Sequence, residues 1–377
     1  MQALPPPTAV VGKPPGWADV EPDAARPPVV SHTHPSLKAR DSAADYVPHT
    51  PVSKVLLAQP EEKDRMEVDH RADLHRRIPA WYLRNARDLP WRRPGCSPWG
   101  VLVSEFMLQQ TPVSRVLPVW EQWMQRWPSP AALAAEPSGE AVRAWGRLGY
   151  PRRALRLHAA AAAIVAGHDG EVPSTYPQLL ALPGVGTYTA AAVAAFAFGR
   201  RETVVDTNIR RVHARAVTGH ALPAQSLTAA ETRLAVSLLP IDEAESALWN
   251  ISVMELGALV CTARNPKCSQ CPIMDSCAWV AAGRPEAQYV PRGQAWAGTD
   301  RQVRGAMMAV LRDAHAPVRR DLLLNPPVEV EPALAAAGPL HSLHRLQAPA
   351  EQLERALAGL LADRLAEEHD GAVQLPA

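Results

Sequence analysis

The stretch CTARNPKCSQCPIMDSC, residues 261–277, places four cysteines close together near the end of an otherwise cysteine-poor chain. Cys261, Cys268, Cys271 and Cys277 follow the spacing C-x6-C-x2-C-x5-C. Thiolates this close in sequence can bind one metal centre together. A disulfide framework is disfavoured, because the N-terminus lacks the basic stretch and apolar run of a secretory signal.

The spacing of these cysteines distinguishes between two kinds of metal centre. All-cysteine zinc sites usually combine two CxxC pairs separated by a longer loop. Here only one CxxC exists, with arms of six and five residues on either side. The sequence therefore predicts a single, bulky 4Fe–4S cluster, and a tetrahedral zinc ion is the alternative.

The composition limits the classes of protein that the chain can belong to. Its 377 residues, 47% of them hydrophobic, suffice for two or three modest domains. No run of eighteen apolar residues occurs, which excludes a membrane-spanning helix. The net charge is +1, but residues 71–283 contain 22 basic and 16 acidic side chains, an excess of about +6 that indicates a polyanionic partner.

The chain divides into three parts by composition. Residues 1–70 are rich in proline and lack periodicity, which predicts a disordered leader; translation starting at Met66 is the alternative to a start at Met1. Residues 71–283 predict an all-α domain. Its main helices are expected at 99–108, 113–127, 152–167, 187–198, 207–217, 228–239 and 243–260.

Residues 284–377 predict a linker and a small C-terminal domain. Helical patterns cover 307–312 and 352–367, and Asp370-Gly371 before Ala-Val-Gln-Leu predicts a turn and a short strand. Two helices followed by a small β-wing would fit a winged-helix module. This module could supply general affinity for DNA, in which case deleting residues 300–377 would weaken binding to matched and mismatched duplexes equally.

The segment LPGVG, residues 182–186, predicts a sharp turn between two helices. Gly184 and Gly186 allow the backbone to turn and to approach a partner closely. Their N–H groups, with the start of the next helix, can hold a DNA phosphate without reading the base sequence. A plain helix–turn–helix corner is the alternative.

Two carboxyl groups are candidates for chemistry. Glu105 is the only charged side chain between Arg93 and Arg115, and its apolar neighbours would raise its pKa so that it could act as a general acid. An ordinary surface glutamate is the alternative. Asp206 stands where a helix N-cap is expected, and this structural role would be compatible with a catalytic one. One protonated and one ionised carboxyl are the usual means of breaking a glycosidic bond.

The order of these segments is similar to that of the helix-hairpin-helix DNA glycosylases, and within them to the branch that removes adenine mispaired with 8-oxoguanine. The similarity covers about residues 73–283. It rests on the cysteine quartet and on four motifs: SEFMLQQT (104–111), RLGYPRRA (147–154), LPGVGTYTA (182–190) and VVDTNIRRV (204–212). The resemblance implies a six-helix barrel at about 100–205 and a cluster lobe formed by residues 71–99 and 206–283.

The resemblance also implies roles for individual residues. Adenine would be flipped out of duplex DNA, protonated by Glu105 and released while Asp206 stabilises the sugar cation. The residues expected to contact DNA are the wedge residues Gln110 and Tyr150 with the adjacent Thr111, the hairpin glycines Gly184 and Gly186, Asn208, Arg87 and the aromatic Trp91 at the adenine pocket, and the phosphate contacts Arg264 and Lys267.

Tyr188 separates this branch from a second one. The endonuclease III branch carries a lysine at this position, whose amine forms a Schiff base with the sugar and cuts the strand. Tyrosine cannot do so, and positions 210 and 211 are both arginine. The sequence therefore predicts a monofunctional hydrolase, in which Tyr188 belongs to the catalytic site.

The chain departs from its relatives after residue 283. The adenine-removing branch usually ends in a strand-rich MutT-like domain that helps to recognise 8-oxoguanine, and residues 284–377 lack the alternating pattern for it. His341 and His344 faintly resemble the histidine-containing loop of that domain and are interpreted as incidental. Two other functions remain open: a glycosylase of the same superfamily that acts on thymine glycol or on G:T mispairs, and a non-catalytic iron–sulfur protein that binds DNA.

The expected partner is double-stranded DNA that contains A:8-oxoguanine or A:G mispairs. No membrane association is expected. The resemblance implies a monomer in the bacterial cytoplasm, associated with the nucleoid.

Overall fold

The computed structural model describes residues 62–289, 296–325 and 337–377. The chain divides into two units, Met1–Asp69 and His70–Ala377, and the second contains all the features discussed below except the start of the first helix. The disorder expected for residues 1–70 falls mostly outside the described residues. The first helix begins at Glu62, however, so residues 62–70 are helical and this part of the prediction was wrong.

The described residues form sixteen α-helices and three short strands. The helices are α1 (Glu62–Asn85), α2 (Pro98–Leu108), α3 (Val113–Arg126), α4 (Pro130–Ala134), α5 (Ser138–Trp145), α6 (Arg152–Gly167), α7 (Tyr176–Leu180), α8 (Thr187–Phe198), α9 (Thr207–His213), α10 (Ala229–Leu238), α11 (Glu243–Leu259), α12 (Ala278–Ala281), α13 (Asp300–Asp313), α14 (Arg320–Leu324), α15 (Ala337–His344) and α16 (Ala350–Ala362). The expected all-α architecture is confirmed. None of the described helices combines the length and the apolar character that a bilayer crossing demands.

Helices α2 to α8 form a barrel lobe around a core rich in aromatic residues. The Trp123 ring packs edge-on against Trp127 and Trp145, with ring centroids 4.8 and 5.6 Å apart. Such edge-to-face pairs add to the free energy gained from burial alone. Phe106 and Leu157 are also fully buried in this core.

Helices α1 and α9 to α11 form the second lobe, which includes the cysteine segment. Ile78, Val253 and Leu256 are buried in its core. Helix α8 belongs to both lobes: Ala190, Val193 and Ala194 face the barrel core, while Ala191, Ala192 and Ala195 face the second core. Its small side chains allow helices to pack closely on both sides, which explains why its sequence has no polar face.

The LPGVG segment forms the turn between α7 and α8, as expected for a helix-hairpin-helix. Leu182 and Val185 anchor the turn in the barrel core, and Pro183, Gly184 and Gly186 are exposed. Gly184 has a φ of +75°, and a Cβ atom there would lie 2.5 Å from the Cβ of Arg156. Only glycine fits this position without moving helix α6.

We expect Gly184→Ala to lower the free energy of unfolding by about 1–3 kcal/mol, because the added methyl group must displace Arg156 while the backbone remains in a left-handed conformation. Gly186→Ala is the matched control, since its φ is negative and a Cβ there meets nothing within 4 Å. Urea unfolding of both variants measures the difference. Equal losses in the two variants would contradict this explanation.

The C-terminal residues form a small module with a three-stranded antiparallel sheet. Strands β1 (Val318–Arg319), β3 (Ala372–Gln374) and β2 (Glu367–His369) lie in this spatial order. Val318 pairs with Val373, and His369 pairs with Ala372 across the turn at Asp370-Gly371. Both turn residues have positive φ, as a two-residue hairpin requires. The described part of this module therefore combines helices α13 to α16 with a small sheet, and the winged-helix assignment stays a prediction.

Several details of this module differ from the sequence analysis. The helix expected at 352–367 ends at Ala362, and Glu367 begins strand β2. Strand β1 and the short helix α14 were not foreseen, because each is only a few residues long. His341 and His344 lie on helix α15 and not in a loop. Nε2 of His344 is 2.8 Å from the carbonyl oxygen of Leu322, so this histidine holds α15 against α14.

The module is continuous with the barrel lobe. Its buried side chains belong to the same hydrophobic cluster as the barrel core. Arg143 on α5 donates to the carbonyl oxygens of Arg312 and Ala314, and Nε of Arg312 donates to Val142 at 3.1 Å. Gly139 donates its N–H to the carbonyl of Pro376 at 2.9 Å. Deleting residues 300–377 would expose the barrel core, so this deletion cannot test DNA affinity alone.

The charge of the module also bears on its function. The described residues after position 295 include eight arginines and nine carboxylates. Several of these arginines are in ion pairs: Arg320 with Glu354 and Glu368, and Arg355 with Asp300. A surface with no excess of positive charge gives little general attraction to DNA. The described part of the module therefore does not support the hypothesis of general DNA affinity.

Candidate active site and thiol cluster

Glu105 lies on α2 in the barrel core and is 5% exposed. Burial raises the pKa of its carboxyl group to about 7, and the charge of Asp206 adds to this effect, while Tyr188 and Arg92 oppose it. Oε2 of Glu105 is buried and has no hydrogen-bond partner in the described residues. A buried carboxyl with an unpartnered oxygen can hold a proton near neutral pH and donate it to a bound ligand.

Asp206 is the N-cap of α9. Oδ1 accepts the N–H of Ile209 at 2.6 Å, and Oδ2 accepts Nδ2 of Asn208 at 2.8 Å. Burial raises the pKa of Asp206, while these hydrogen bonds and the charge of Arg211 oppose the rise. Both carboxylate oxygens therefore have donors that favour the ionised form.

Tyr188, in the first turn of α8, joins the two carboxyl groups. Burial and the charges of Glu105 and Asp206 all raise the pKa of its hydroxyl, so the phenol lies close to both carboxyl groups. The structure thus brings Glu105, Asp206 and Tyr188 together, although the two acids are about a hundred positions apart in the chain. Helices from both lobes, α2 and α8 on one side and α9 on the other, supply them.

Arg87 and Trp91 precede this site in the chain, and both are held firmly. Arg87 forms a bidentate pair with Glu255 of α11, through Nε at 2.7 Å and Nη2 at 2.6 Å. Trp91 is buried and packs edge-on against Trp120 at 5.6 Å. Because of these contacts, neither side chain is free to extend towards a ligand.

Glu255 and Arg92 are two members of this site that the sequence analysis missed. Glu255 is fully buried, and Nη1 of Arg92 lies 3.0 Å from its Oε2. Hydrogen bonds from Arg87 lower the pKa of Glu255 against the opposing effect of burial, and the charge of Arg92 acts on Glu105 as well. Glu255 is the only charged side chain between Glu245 and Arg264, the same signal that pointed to Glu105.

The two expected wedge residues and the adjacent Thr111 occupy two neighbouring turns. Gln110 follows α2 and Tyr150 precedes α6; both are exposed and both have positive φ, 55° and 47°. Thr111 is buried between them, and its Oγ1 lies 3.2 Å from the carbonyl oxygen of Leu148. The buried Thr111 therefore links the turn that carries Gln110 to the segment that precedes Tyr150.

The residues expected to contact phosphates are all at the surface. Gly184 and Gly186 are exposed at the hairpin that leads into α8. Arg264 and Lys267 are exposed on the loop between Cys261 and Cys268. Backbone N–H groups at a helix start and exposed cations are both suited to binding a phosphate.

The four cysteines line one cavity, together with Arg215, Met274 and Trp279. None of them is in a disulfide bond. Among the described residues, no three His, Cys, Asp or Glu side chains are arranged to hold a single metal ion. Nη1 of Arg215 lies 3.4 Å from Sγ of Cys261, a position that suits an anionic thiolate. Four thiols around one cavity, with a cation beside them, fit an iron–sulfur cluster as a donor set.

A chain of hydrogen bonds runs from Asp206 to the cysteine segment. Asn208 donates to Asp206 and accepts from Nη2 of Arg211 at 2.7 Å, and Nε of Arg211 donates to the carbonyl oxygen of Cys261 at 2.6 Å. Gly257 allows α11 to pack closely against α9, since a Cβ at this position would lie 2.7 Å from the Cβ of Asn208. Asn208 is thus fixed beneath Asp206 and does not project freely.

Comparison with known proteins identifies the class of this fold and site. Residues 103–235 match the HhH-GPD superfamily of base excision DNA repair proteins. Residues 261–277 match the iron–sulfur binding domain of endonuclease III. A solved structure of a thermostable thymine-DNA glycosylase superimposes with a TM-score of 0.52 and 27% identity, over 57% of this chain and 99% of that one. The chain is therefore a helix-hairpin-helix enzyme of base excision repair with an iron–sulfur binding domain.

Two curated relatives narrow this class to a family. The adenine DNA glycosylase of Mycobacterium tuberculosis (strain CDC 1551 / Oshkosh) is 54% identical over 242 residues, which cover 64% of this chain and 79% of the relative. That of Mycolicibacterium smegmatis is 51% identical over 260 residues, covering 68% and 87%. The chain belongs to the adenine DNA glycosylase family, also called MutY.

Proposed function

We propose that this protein hydrolyses the N-glycosidic bond of adenine mispaired with 8-oxoguanine or guanine in duplex DNA. One observation carries the proposal: Glu105, buried with a pKa of about 7, shares a site with Asp206, whose carboxylate oxygens accept hydrogen bonds. The names of the curated relatives support the choice of adenine.

Glu105 acts as the general acid. The adenine leaves the base stack and enters the site, because its glycosidic bond cannot be reached inside the duplex. The Glu105 carboxyl donates its proton to a ring nitrogen of adenine, which makes the base a neutral leaving group when the bond to C1′ breaks. Oε2 of Glu105, which has no partner in the described residues, is available for this contact.

Asp206 stabilises the sugar cation. Its oxygens already accept donors, whereas Glu105 is mainly surrounded by apolar side chains, so Asp206 ionises first. The Asp206 carboxylate lowers the free energy of the oxocarbenium-like transition state through its negative charge, or it forms a transient bond to C1′. A water molecule then adds its oxygen to C1′ and releases a proton, leaving an abasic site and free adenine.

The reaction stops at base removal. A strand-cutting step in this superfamily requires an amine that attacks C1′ and forms a Schiff base. Tyr188 offers a phenol at the position that faces both carboxyl groups, and Arg210 and Arg211 are held by hydrogen bonds to carbonyl oxygens. The protein is therefore monofunctional.

The DNA-binding surface combines elements of both lobes. Gln110 and Tyr150 enter the duplex next to the oxidised guanine, and the hairpin at Gly184 and Gly186 binds a backbone phosphate. Arg264 and Lys267 add phosphate contacts from the cysteine segment. The protein acts as a monomer on the DNA of the bacterial nucleoid, in the cytoplasm.

The four cysteines hold a 4Fe–4S cluster. When bound, this group supplies a rigid cross-link between the end of α11 and α12, and four thiolates complete its ligand set. Arg215 stabilises the negative charge of Cys261 and packs over the Trp279 ring at 4.8 Å. The cysteine loop thereby presents Arg264 and Lys267 in a fixed orientation.

A G:T-directed glycosylase is the second candidate. One solved structure that superimposes on this chain is described as a thymine-DNA glycosylase, and Tyr188 is compatible with a monofunctional enzyme of that kind. This alternative predicts release of thymine and not of adenine. A non-catalytic iron–sulfur DNA-binding protein would release neither base.

A base-release assay distinguishes these functions. Purified protein is incubated with duplexes that carry A:8-oxoguanine, A:G or T:G, and the released free bases are quantified. Strand breaks are measured on the same samples with and without alkali, which cleaves the DNA at abasic sites. We expect adenine release from the first two duplexes, strand breaks only after alkali, and no covalent complex on borohydride treatment. Release of thymine alone, or borohydride trapping as fast as base loss, would refute the proposal.

The pH dependence should follow the proton on Glu105. The active form has Glu105 protonated and Asp206 ionised, so the excision rate should fall about tenfold per unit above pH 7, since the pKa of Glu105 is about 7. Below pH 7 the rate should level off and then fall again as Asp206, whose pKa is raised by burial, becomes protonated. Single-turnover rates at saturating enzyme measure this profile, with DNA affinity determined at each pH as a control. A rate that rises through pH 7 would mean that Glu105 acts as a base.

A further inference from the structure

Arg153 is a buried cation that the proposed chemistry does not use. It is the second residue of α6 and is 5% exposed, and among the described residues no carboxylate forms an ion pair with it. Burial lowers the pKa of its guanidinium to about 10, so it stays charged at neutral pH. A buried charge without a counter-ion is costly unless polar groups surround it.

Five hydrogen bonds compensate this charge. The guanidinium donates to the carbonyl oxygens of Phe106 (2.9 Å), Met107 (3.2 Å), Gln109 (2.6 Å) and Gly149 (3.1 Å) and to Oγ1 of Thr111 (3.0 Å). The first three are carbonyls at the C-terminus of α2, which no helical N–H satisfies. A cation at this end also interacts favourably with the helix dipole.

These acceptors belong to three functional segments. Phe106 directly follows Glu105, so Arg153 holds the helix that carries the general acid. Gln109 and Thr111 flank Gln110 in the first wedge turn. Gly149 precedes Tyr150 in the second, and the guanidinium also lies 5.5 Å from the Tyr150 ring.

The wedge turns need such an anchor. Gln110 and Tyr150 both have positive φ, a backbone conformation that costs free energy for residues other than glycine and persists only where surrounding contacts impose it. Both side chains are exposed and have little packing of their own. Arg153 supplies hydrogen bonds to the residues on either side of Gln110 and to the residue before Tyr150.

We infer that Arg153 is a positioning residue that fixes Gln110, Tyr150 and the end of the Glu105 helix as one rigid body. This inference rests on the proposed function and extends it. The side chains that open the base stack would be held at a constant distance from the acid that protonates the extruded adenine. Discrimination between mispairs would then depend on a residue that touches neither DNA nor base.

Arg153→Lys tests this role. Lysine keeps the charge, but its three donors on a single atom cannot reach five acceptors spread over three segments. We expect the single-turnover excision rate to fall about 10- to 100-fold, because small displacements of catalytic groups cost this much. The preference for A:8-oxoguanine over A:G should shrink, while the pH midpoint near 7 is retained.

A control variant and a measurement of the active fraction distinguish a positioning role of Arg153 from a purely structural one. Arg152→Lys is the matched control, because Arg152 is adjacent but exposed, and its one ion pair among the described residues is with Asp363, at 3.1 Å. Rates are normalised to active enzyme by burst titration, and circular dichroism monitors folding. A purely structural role would lower the melting temperature and the active fraction but leave the rate per active enzyme and the mispair preference within twofold, which would overturn the inference.

A second measurement does not require catalysis. A 2-aminopurine placed beside the 8-oxoguanine brightens when its stack is opened, and the wild-type protein should produce this signal on binding. Arg153→Lys should bind but lose most of the increase, whereas an unchanged signal would overturn the inference. If the wild-type protein opened the stack but released no adenine, the proposed function would fail while the positioning role stood.

Discussion

Glu105→Gln should abolish adenine release and leave binding to mispaired DNA intact. Glutamine has nearly the same shape as glutamic acid and can occupy the same buried site, but it has no acidic proton to donate. A positioned general acid accelerates a reaction by about 10²–10⁴-fold, so the single-turnover excision rate should fall by at least that factor. The protonated acid is already neutral, and therefore the change should not destabilise the fold.

Binding and base release must be measured on the same preparation. Fluorescence anisotropy with an A:8-oxoguanine duplex gives the dissociation constant, which we expect to stay within about threefold of the wild-type value, below 1 kcal/mol. Glu121→Gln is the control, since Glu121 is exposed on α3. Appreciable adenine release by Glu105→Gln would remove Glu105 from the mechanism, and loss of binding alone would give it a structural role.

Asp206→Asn should separate the two roles of this residue. Asparagine is as good an N-cap as aspartate, so α9 should still form and stability should change by less than about 1 kcal/mol. The charge that stabilises the sugar cation is lost, and we expect the excision rate to fall about 100- to 1,000-fold. One hydrogen bond is also lost, because the new amide cannot accept from both Ile209 and Asn208.

A matched control exists for this substitution. Asp242 is the N-cap of α11, where it accepts the N–H of Glu245 at 2.9 Å, and it is exposed. Asp242→Asn should leave the excision rate unchanged and alter stability as little as Asp206→Asn does. If both variants lost activity equally, or if Asp206→Asn unfolded the protein, the capping role alone would account for Asp206.

The helices were predictable where a periodic apolar pattern ends at proline or glycine. Helices α6 and α8 have the bounds expected from the sequence. An α-helix was expected at 207–217. The α-helix ends at His213, and the residues that follow, Ala214–Thr218, form a π-helical turn. That change is not encoded in local propensity, because it accompanies contacts of Arg215 with Ala221 and Thr262.

The site was predictable only in part, for a related reason. The apolar surroundings of Glu105 are visible in the sequence, because its neighbours on α2 create them. The burial of Arg153 and its five acceptors depends on α6 packing against the end of α2, and an arginine in the motif RLGYPRRA gives no local sign of it. Residues whose environment comes from distant segments escape an analysis of sequence pattern.

The alanine-rich helix α8 has a mechanical consequence. Helix α8 contributes side chains to both hydrophobic clusters. The lobes therefore lack a flexible joint at this helix about which they could open and close. The site proposed to receive the extruded adenine would then keep a nearly constant width during the catalytic cycle. The substrate would have to adapt, and sequences that kink easily at the mispair should be processed faster than stiff ones.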